Sequence, residues 1–411
     1  MASPATTLKS NLIGNNAGNL IFSNATYKLL WTSGTEVVAS GPVPDPSEAD
    51  RINAEFDVFV VPLANAFRRS FVQDLESLTA LIRGLKIPVV VLGVGAQSSV
   101  NYDLEWLAPL RDAVSGFASA VLDRSPSIGV RGEFTGDYLR SLGFKDIDVI
   151  GCPSLFMHGD ALQVNKRVAA IGPDSAVCLN VSPYVKKMGD VVQHHQERYR
   201  KLTYVAQDRD TLRTMLRGDS PGKRGATSPM PVHTSHPMFR ENKIRFFVDP
   251  KPWFEYLSTF DVCFGTRIHG NIAGLLAGTP SYVIAHDSRT LELARYFQIP
   301  HRSIAKIKPD TDVRDLYEEA DFSAFNAGHA ARFGTFTEFL AKHELAHVFE
   351  PGEDSERFEQ MIGRTRYPAG VRPVHPAWRS VYRARGKSRR LARAAVRLGR
   401  RRLGTTGGST P

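Results

Sequence analysis

The stretch DVCFGTRIHGNIAGLLAGTPSYVIAHDSR, Asp261 to Arg289, leaves few folds open to the chain. A short apolar run, Val262 to Phe264, breaks at Gly265; Ile268, Ile272, Leu275 and Leu276 then recur at helical spacing until Gly278 and Pro280 stop them. The pattern predicts strand, tight turn, helix. A second apolar run, Tyr282 to Ala285, leads into His286-Asp287-Ser288-Arg289, where Asp287 or Ser288 can cap another helix. Such a βαβα unit belongs to an open parallel sheet, whose ligands bind in the crevice at the carboxyl ends of the strands.

Both loops of the unit emerge at that end. One carries Gly265 and Thr266 in its turn and Arg267 and His269 in the first turn of the helix; the other carries Arg289. A helix N-terminus favours an anion through its free N–H groups and its dipole, and two arginines add bidentate contacts to phosphate or carboxylate. These residue types suit a small, dense anion with a proton donor beside it. An ordinary solvated cap would also place an Arg and a His here, although function concentrates on such loops. Gly270, Gly274 and Gly278 fall four apart, each costing about 1 kcal/mol relative to Ala inside a helix. Close packing of helix on sheet is the plainer cause, close approach to a ligand the other.

The same alternation recurs upstream. Val58 to Val61 is a strand ending in Pro62-Leu63-Ala64-Asn65, Phe71 to Leu85 an amphipathic helix, and Pro88 to Leu92 a buried strand that runs into Gly93-Val94-Gly95-Ala96-Gln97. Ser127 to Val130 is a strand with Arg131 at its carboxyl end, followed by a helix from Glu133 to Leu142 and a strand from Ile147 to Ile150. Further strands are predicted over 177–181, 202–206 and 244–248, and helices over 253–260, 310–325 and 333–349. The fold class is therefore α/β, with two Rossmann-like, doubly wound domains: residues 1–160, then 174–350 after a polar linker. An irregular segment and basic tail, 351–411, follow.

Length and composition agree with two globular domains. The formal net charge of +10 is not spread over them: Arg379 to Pro411 holds eleven Lys or Arg and no acid, leaving 41 basic against 42 acidic residues elsewhere. Cys152, Cys178 and Cys263 lie in or beside apolar runs without CxxC spacing and read as buried thiols of a reducing compartment. With no signal-peptide pattern and no apolar run near the roughly 20 residues that span a bilayer, the chain is expected in the cytoplasm. His233, His236, His194 and His195 have neither the carboxylates nor the third histidine of a metal site, so no metal is expected. Residues 217–243, rich in Gly, Pro, Ser and charge, read as a mobile loop.

Near the start, Gly14-Asn15-Asn16-Ala17-Gly18-Asn19 precedes a helix-like pattern. It could hold a polar ligand through N–H groups and amides or be a turn with its cap. Taken with Val89 to Gln97, Val130-Arg131-Gly132, Gly151-Cys152-Pro153 and above all Arg267-x-His269-Gly270 with its downstream basic partner, this loop resembles the polysaccharide pyruvyl transferase family over roughly Leu12 to Pro300.

The resemblance implies a glycosyltransferase-B-like arrangement of the two domains and transfer of the pyruvyl group of phosphoenolpyruvate, a co-substrate rather than a cofactor, onto two hydroxyls of one sugar as a cyclic ketal. It implies that Arg131, Arg267 and Arg289, with Gly265 and Thr266, hold the donor, and that His269 is the general acid or base. An unperturbed pKa near neutrality would suit that role. The acceptor, free or lipid-linked, would lie by Asn16, Asn19, Gly95 and Gln97. Asn19 and Cys152 stand where relatives carry aspartate, and Arg289 where they often carry lysine.

Two other classes stay open. A nucleotide-sugar glycosyltransferase would need a base pocket and acidic contacts to ribose. A non-catalytic relative would act through the tail, whose Leu391, Ala394, Ala395 and Leu398 share a possible helix face among arginines. That face would suit an anionic membrane's inner surface better than nucleic acid, and a solvated tail is the plainer reading.

Overall fold

The computed structural model describes residues 2–40, 45–219 and 228–374; the basic tail lies outside them. Helices α1 (Pro4–Ser10), α2 (Gly18–Leu30) and α3 (Ala49–Glu55) precede a first run of β1 (Phe59–Pro62), α4 (Val72–Gly84), β2 (Val89–Leu92), α5 (Arg111–Leu122), β3 (Ile128–Val130), α6 (Glu133–Ser141) and β4 (Ile147–Val149). β1 pairs with β2 and β3 with β4, both parallel, and a parallel bridge from Val94 to Val130 joins the pairs into the order β1-β2-β3-β4. Successive side chains of a strand face opposite ways. Val89 and Val91 accordingly share one core with Leu75, Leu78 and Ile82 of α4 and Val114 and Phe117 of α5. Val90 and Leu92 belong to the other core, with Ile21 and Phe22 of α2. An all-apolar strand is what a sheet covered on both faces requires.

The second run is β5 (Val177–Asn180), α7 (Met188–Arg198), β6 (Thr203–Ala206), α8 (Arg209–Arg217), α9 (Pro237–Arg240), β7 (Ile244–Phe246), α10 (Pro250–Leu257), β8 (Val262–Gly265), α11 (Ile268–Leu276), β9 (Ser281–Ala285), α12 (Ser288–Tyr296) and β10 (His301–Ser303). All six strands are parallel, in the order β7-β6-β5-β8-β9-β10. Strand succession reverses between β5 and β8, and the crevice where an α/β sheet takes its ligand lies at that switch. Helices α13 (Val313–Glu319), α14 (Ser323–Ala327), α15 (His329–Lys342) and α16 (Glu356–Arg364) close the described chain. Among the described residues no helix is long and apolar enough to cross a membrane.

The βαβα unit forms as its pattern predicts, and Asp287 caps α12 in a reciprocal capping box with Thr290. The helix expected over 310–325 forms as two, α13 and α14, and that expected over 333–349 runs from His329 and stops at Lys342. Three further elements differ from expectation. β10 is His-Arg-Ser, which carries no apolar run, because an edge strand needs only one partner. α10 starts earlier, at Pro250, where Asp249 accepts from the Lys251 N–H. The described part of the expected mobile loop is packed: Met230, Met238 and Phe239 are buried, the His236 side chain caps α9, and His233 pairs with Asp219 at 3.2 Å.

The two halves are joined through α12. Ser288 Oγ donates to Ala96 O (2.9 Å) and accepts from the Ser98 N–H (2.7 Å), while the Ser288 N–H donates to Ser98 O (3.1 Å). One turn on, the Glu292 carboxylate accepts from the Thr135 N–H (2.7 Å) and hydroxyl (3.0 Å). Gly132, the residue before helix α6, has no side chain to cap it, so Glu292 satisfies the helix N-terminus from the other half of the molecule. A Cβ on Gly132 would come within 2.2 Å of the Glu292 side chain. Burial pushes the Glu292 carboxyl up to about 7, against its hydrogen bonds to Thr135 and the Arg131 charge.

A carboxyl raised in the folded state stabilises below its unfolded value, and that stability is lost as pH rises through the folded value. The unfolding temperature of the wild type should fall between about pH 5 and pH 8, and Glu292→Gln, which keeps an acceptor for Thr135, should remove that part of the slope. Scanning calorimetry across the range checks it; parallel slopes for the two proteins would show that Glu292 does not titrate there.

Candidate functional site

Arg131 follows β3, and its side chain is almost wholly buried. Its Nε and Nη2 donate to Gly93 O at 3.3 and 3.2 Å. The guanidinium stem lies on Gly95, where a Cβ would be 2.4 Å from Arg131 Cδ, so the Gly-Val-Gly loop makes room for a buried cation. Burial pulls the Arg131 pKa down, opposed by Cys152 and Glu292, yet a guanidinium stays protonated.

Arg289 sits in the first turn of α12. Its Nε donates to Asp287 Oδ2 at 2.9 Å, with a second contact from Nη2. Burial works to raise the Asp287 carboxyl, but Arg289 and His286 beside it hold it at about 2. With its oxygen set toward the guanidinium groups, the Asn65 amide accepts from both Arg289 Nη1 and Arg68 Nη1, 2.7 Å each. Arg267 precedes α11, its N–H donating to Asn180 O (3.2 Å) and its guanidinium lying 5.6 Å over the Tyr184 ring. Tyr184 also acts on Arg289, and its hydroxyl is 3.4 Å from His286 Nε2.

His269 is 5% exposed, on the first turn of α11. Phe22 of α2 meets its ring edge-on at 6.3 Å, Cys152 Sγ is 3.8 Å from its Nε2, and a Cβ on Gly18 would lie 2.7 Å from its Cβ. Burial, then the charges of Arg131 and Arg289, pull its pKa down to about 3. The near-neutral value expected from the sequence is thus corrected: the imidazole is uncharged at neutral pH, because a cation is costly in a buried site that already holds guanidinium groups. Burial likewise raises the Cys152 thiol, which stays protonated.

Arg289 is thus the centre of four guanidinium groups: it acts on Arg131 and Arg68, with Arg131 on His269 and with Arg267 on His286, and the Asp287 carboxylate accepts its hydrogen bond. Such an excess of fixed positive charge can hold a multiply charged anion through charge-assisted hydrogen bonds, with an imidazole at hand to exchange a proton.

The other expected site residues divide. Gly95 and Gln97 lie with the arginines, Gln97 Oε1 being 3.3 Å from the Asn65 amide. Asn16 bridges to Asp208 and its side chain accepts from the Gly18 N–H at 3.1 Å. Asn19 turns into its own loop, its Nδ2 donating to Ile13 O (3.0 Å) and Gly14 O (3.4 Å). Thr266 and Gly265 shape the turn: Thr266 Oγ1 accepts from the Ser182 N–H at 2.8 Å, and Gly265 has φ 143° with Asn180 O where a Cβ would stand. The glycine stripe splits, for Gly274 packs on Ser281 and Cys263 of the sheet, Gly270 on Asn180 and Gln207, and Gly278 lies past the helix with φ 67°. Sequence reasoning missed Asn65, Arg68, Tyr184 and Gln207. The first two follow the carboxyl end of β1, and that position was the available signal.

Clefts of about 730 and 400 Å³ open elsewhere, the larger beside Arg295, Arg302 and Lys306, and none of these site residues lines either. Among the described residues no group of three or more His, Cys, Asp or Glu stands where it could hold a metal.

A profile of the polysaccharide pyruvyl transferase family matches residues 16–288. No curated protein matches the sequence. Among solved structures, an uncharacterized protein from Klebsiella pneumoniae is 11% identical, with 68% of this chain and 84% of that one covered and a TM-score of 0.35. The UDP-GlcNAc 2-epimerase of Neisseria meningitidis, solved with UDP-GlcNAc, is 13% identical, with 74% and 84% covered and a TM-score of 0.40. That of Methanocaldococcus jannaschii, solved with UDP-GlcNAc and UDP, is 11% identical, with 78% and 79% covered and a TM-score of 0.39.

Because Asn19 serves its loop as a donor to two carbonyls, a carboxylate cannot replace it. Asn19→Asp should destabilise the chain by about 1–3 kcal/mol, at least as much as Asn19→Ala, by thermal or urea unfolding. An aspartate variant as stable as the wild type would show that the staple is dispensable.

Proposed function

The chain belongs to the polysaccharide pyruvyl transferase family and is a transferase, and on that premise we propose that it moves the pyruvyl group of phosphoenolpyruvate onto two hydroxyls of one sugar of a polysaccharide or its precursor, closing a cyclic ketal. The observation that carries the reading is the excess of guanidinium charge around a buried, uncharged histidine at the switch point of the second sheet. Phosphoenolpyruvate carries a carboxylate and a phosphate on adjacent atoms, the kind of dense anion this excess favours.

In this reading Arg131, Arg267 and Arg289 hold the donor, and Arg68 reinforces Arg289 through Asn65. The bound anion offsets the charges that keep a proton off His269, so the imidazole takes one up as the donor arrives. The imidazolium then protonates the methylene carbon. Cationic character develops at the neighbouring carbon, a sugar hydroxyl attacks it, and the C–O bond to phosphate breaks with the arginines stabilising the departing charge. The second hydroxyl closes the ketal. Of the two hydroxyl protons, one restores the acid and the other leaves with phosphate, so no oxidant or reductant is consumed. A positioned acid of this kind contributes about 10²- to 10⁴-fold. The sugar enters from the side of the Asn16 loop. The arginine-rich stretch beyond residue 378 would hold the enzyme near an anionic membrane if the acceptor is lipid-linked.

Calorimetric titration tests the donor. Phosphoenolpyruvate should bind saturably, and Arg267→Ala and Arg289→Ala should each weaken it more than about tenfold, or 1.4 kcal/mol. A nucleotide sugar that binds, is not displaced by phosphoenolpyruvate and depends on the same arginines would replace this reading by glycosyl transfer. Repeating the titration in buffers of different ionisation enthalpy should reveal proton uptake with the donor, lost in His269→Gln; uptake equal in both proteins would remove His269 from the proton path.

A further inference from the structure

Five buried side-chain atoms without a hydrogen-bond partner among the described residues gather at the carboxyl ends of the second sheet: Ser182 Oγ after β5, Gln207 Oε1 and Nε2 after β6, Arg267 Nε after β8 and His286 Nδ1 after β9. The others, on Trp31, Trp253 and His329, are scattered through the chain. Buried polar atoms are normally paired, because an unpaired one loses its hydration for nothing. Unpaired atoms concentrated at a topological switch point imply a ligand that pairs them.

Gln207 stands out because both ends of its amide are free and it is 1% exposed. Its backbone carbonyl, by contrast, accepts from the Ala17 N–H at 2.8 Å, which ties this position to the N-terminal loop. The side chain is wedged between two glycines: a Cβ on Gly270 would be 2.4 Å from Nε2, and one on Gly18 would be 3.3 Å from Oε1. That same Gly18 Cβ would sit 2.7 Å from His269. The starts of α2 and α11 thus leave room for an amide beside the histidine, reached from β6, while Arg131 and Arg289 reach the histidine from β3 and α12.

An uncharged amide adds little to an anion held by guanidinium groups such as Arg131 and Arg289, which act on His269. Its one acceptor and one donor match hydroxyls, which both give and take hydrogen bonds. Resting on the ketal-forming reading above, we infer that Gln207 binds the acceptor sugar: Oε1 accepts from one of the two hydroxyls to be bridged and Nε2 donates to the other, setting both beside His269.

The test uses Gln207→Met, which keeps the length of the side chain and removes its polarity, and Gln207→Asn, which withdraws the amide by one methylene should the Met variant not fold. Saturation-transfer NMR with methyl β-D-galactopyranoside and methyl β-D-glucopyranoside reads sugar binding, and calorimetry reads phosphoenolpyruvate. The expected result is sugar binding to the wild type weakened at least about tenfold in the variants, with phosphoenolpyruvate affinity within about twofold. Gln207→Met should also unfold no earlier than the wild type, since an unpaired amide has been removed.

Sugar binding unchanged in the variants, or no sugar bound by the wild type with or without phosphoenolpyruvate, overturns the inference. So does a marked fall in the unfolding temperature of Gln207→Met, which would make the amide a structural bond. A wild type that binds sugar through Gln207 but ignores phosphoenolpyruvate would leave Gln207 standing and end the pyruvyl reading instead.

Discussion

Holding several guanidinium groups close together out of water is the constraint around which the molecule is arranged. Like charges at short range repel, and burial strengthens the repulsion. Three devices keep the cluster in place. Asp287 caps α12 and pairs with Arg289, one carboxylate serving a helix and a cation together. Asn65 accepts from Arg289 and Arg68 at once, and the glycine-rich loop after β2 lets the buried stem of Arg131 lie against backbone. None of these cancels the positive excess, which is therefore available to a ligand.

The same cluster sets the state of the histidine. His269 is kept neutral by burial and by Arg131 and Arg289, and its nearest polar neighbour on Nε2 is the Cys152 thiol, itself held protonated by burial. An aspartate at position 152, the residue that relatives carry there by the resemblance noted above, would have drawn a proton onto the imidazole. A neutral thiol does not, so under the proposed reading the charge that would make an acid of His269 comes with the donor, and proton uptake is tied to donor binding. Asn19 differs in another way: its amide donates within its own loop, a duty closed to a carboxylate, so there the substitution is accounted for by local structure.

Coupling between the halves runs through the helix that carries Arg289. Ser288 and Glu292 of α12 bind the loop after β2 and the start of α6, the elements that place Arg131. The arginines of the two halves are thus set relative to one another by hydrogen bonds a few residues from the site, and Glu292 is a buried carboxylate only because a glycine precedes α6 and leaves its N–H groups to be satisfied from outside.

The sequence by itself determined the parallel strands, the helix caps and the loops at strand ends, because these follow from neighbours a few residues apart: apolar runs of the right length, a glycine where the chain turns, an aspartate before a helix. That was enough to set Arg267, His269 and Arg289 at the carboxyl ends of neighbouring strands and to suggest an anion, whereas Arg131, at a strand end of the first domain, was joined to them only by the family resemblance. It could not show the polar edge strand β10, which has no apolar signature, nor Asn65, Arg68 and Tyr184, whose roles depend on contacts between distant parts of the chain. It misjudged the histidine, since a pKa is set by burial and by charges brought from β3 and α12, and no local pattern records either. Only the tertiary structure decided which of the polar residues are already satisfied, as Asn19 is, and which, as Gln207 is, remain to be satisfied by something else. Hydrogen-bond satisfaction belongs to the whole packed assembly rather than to any one segment.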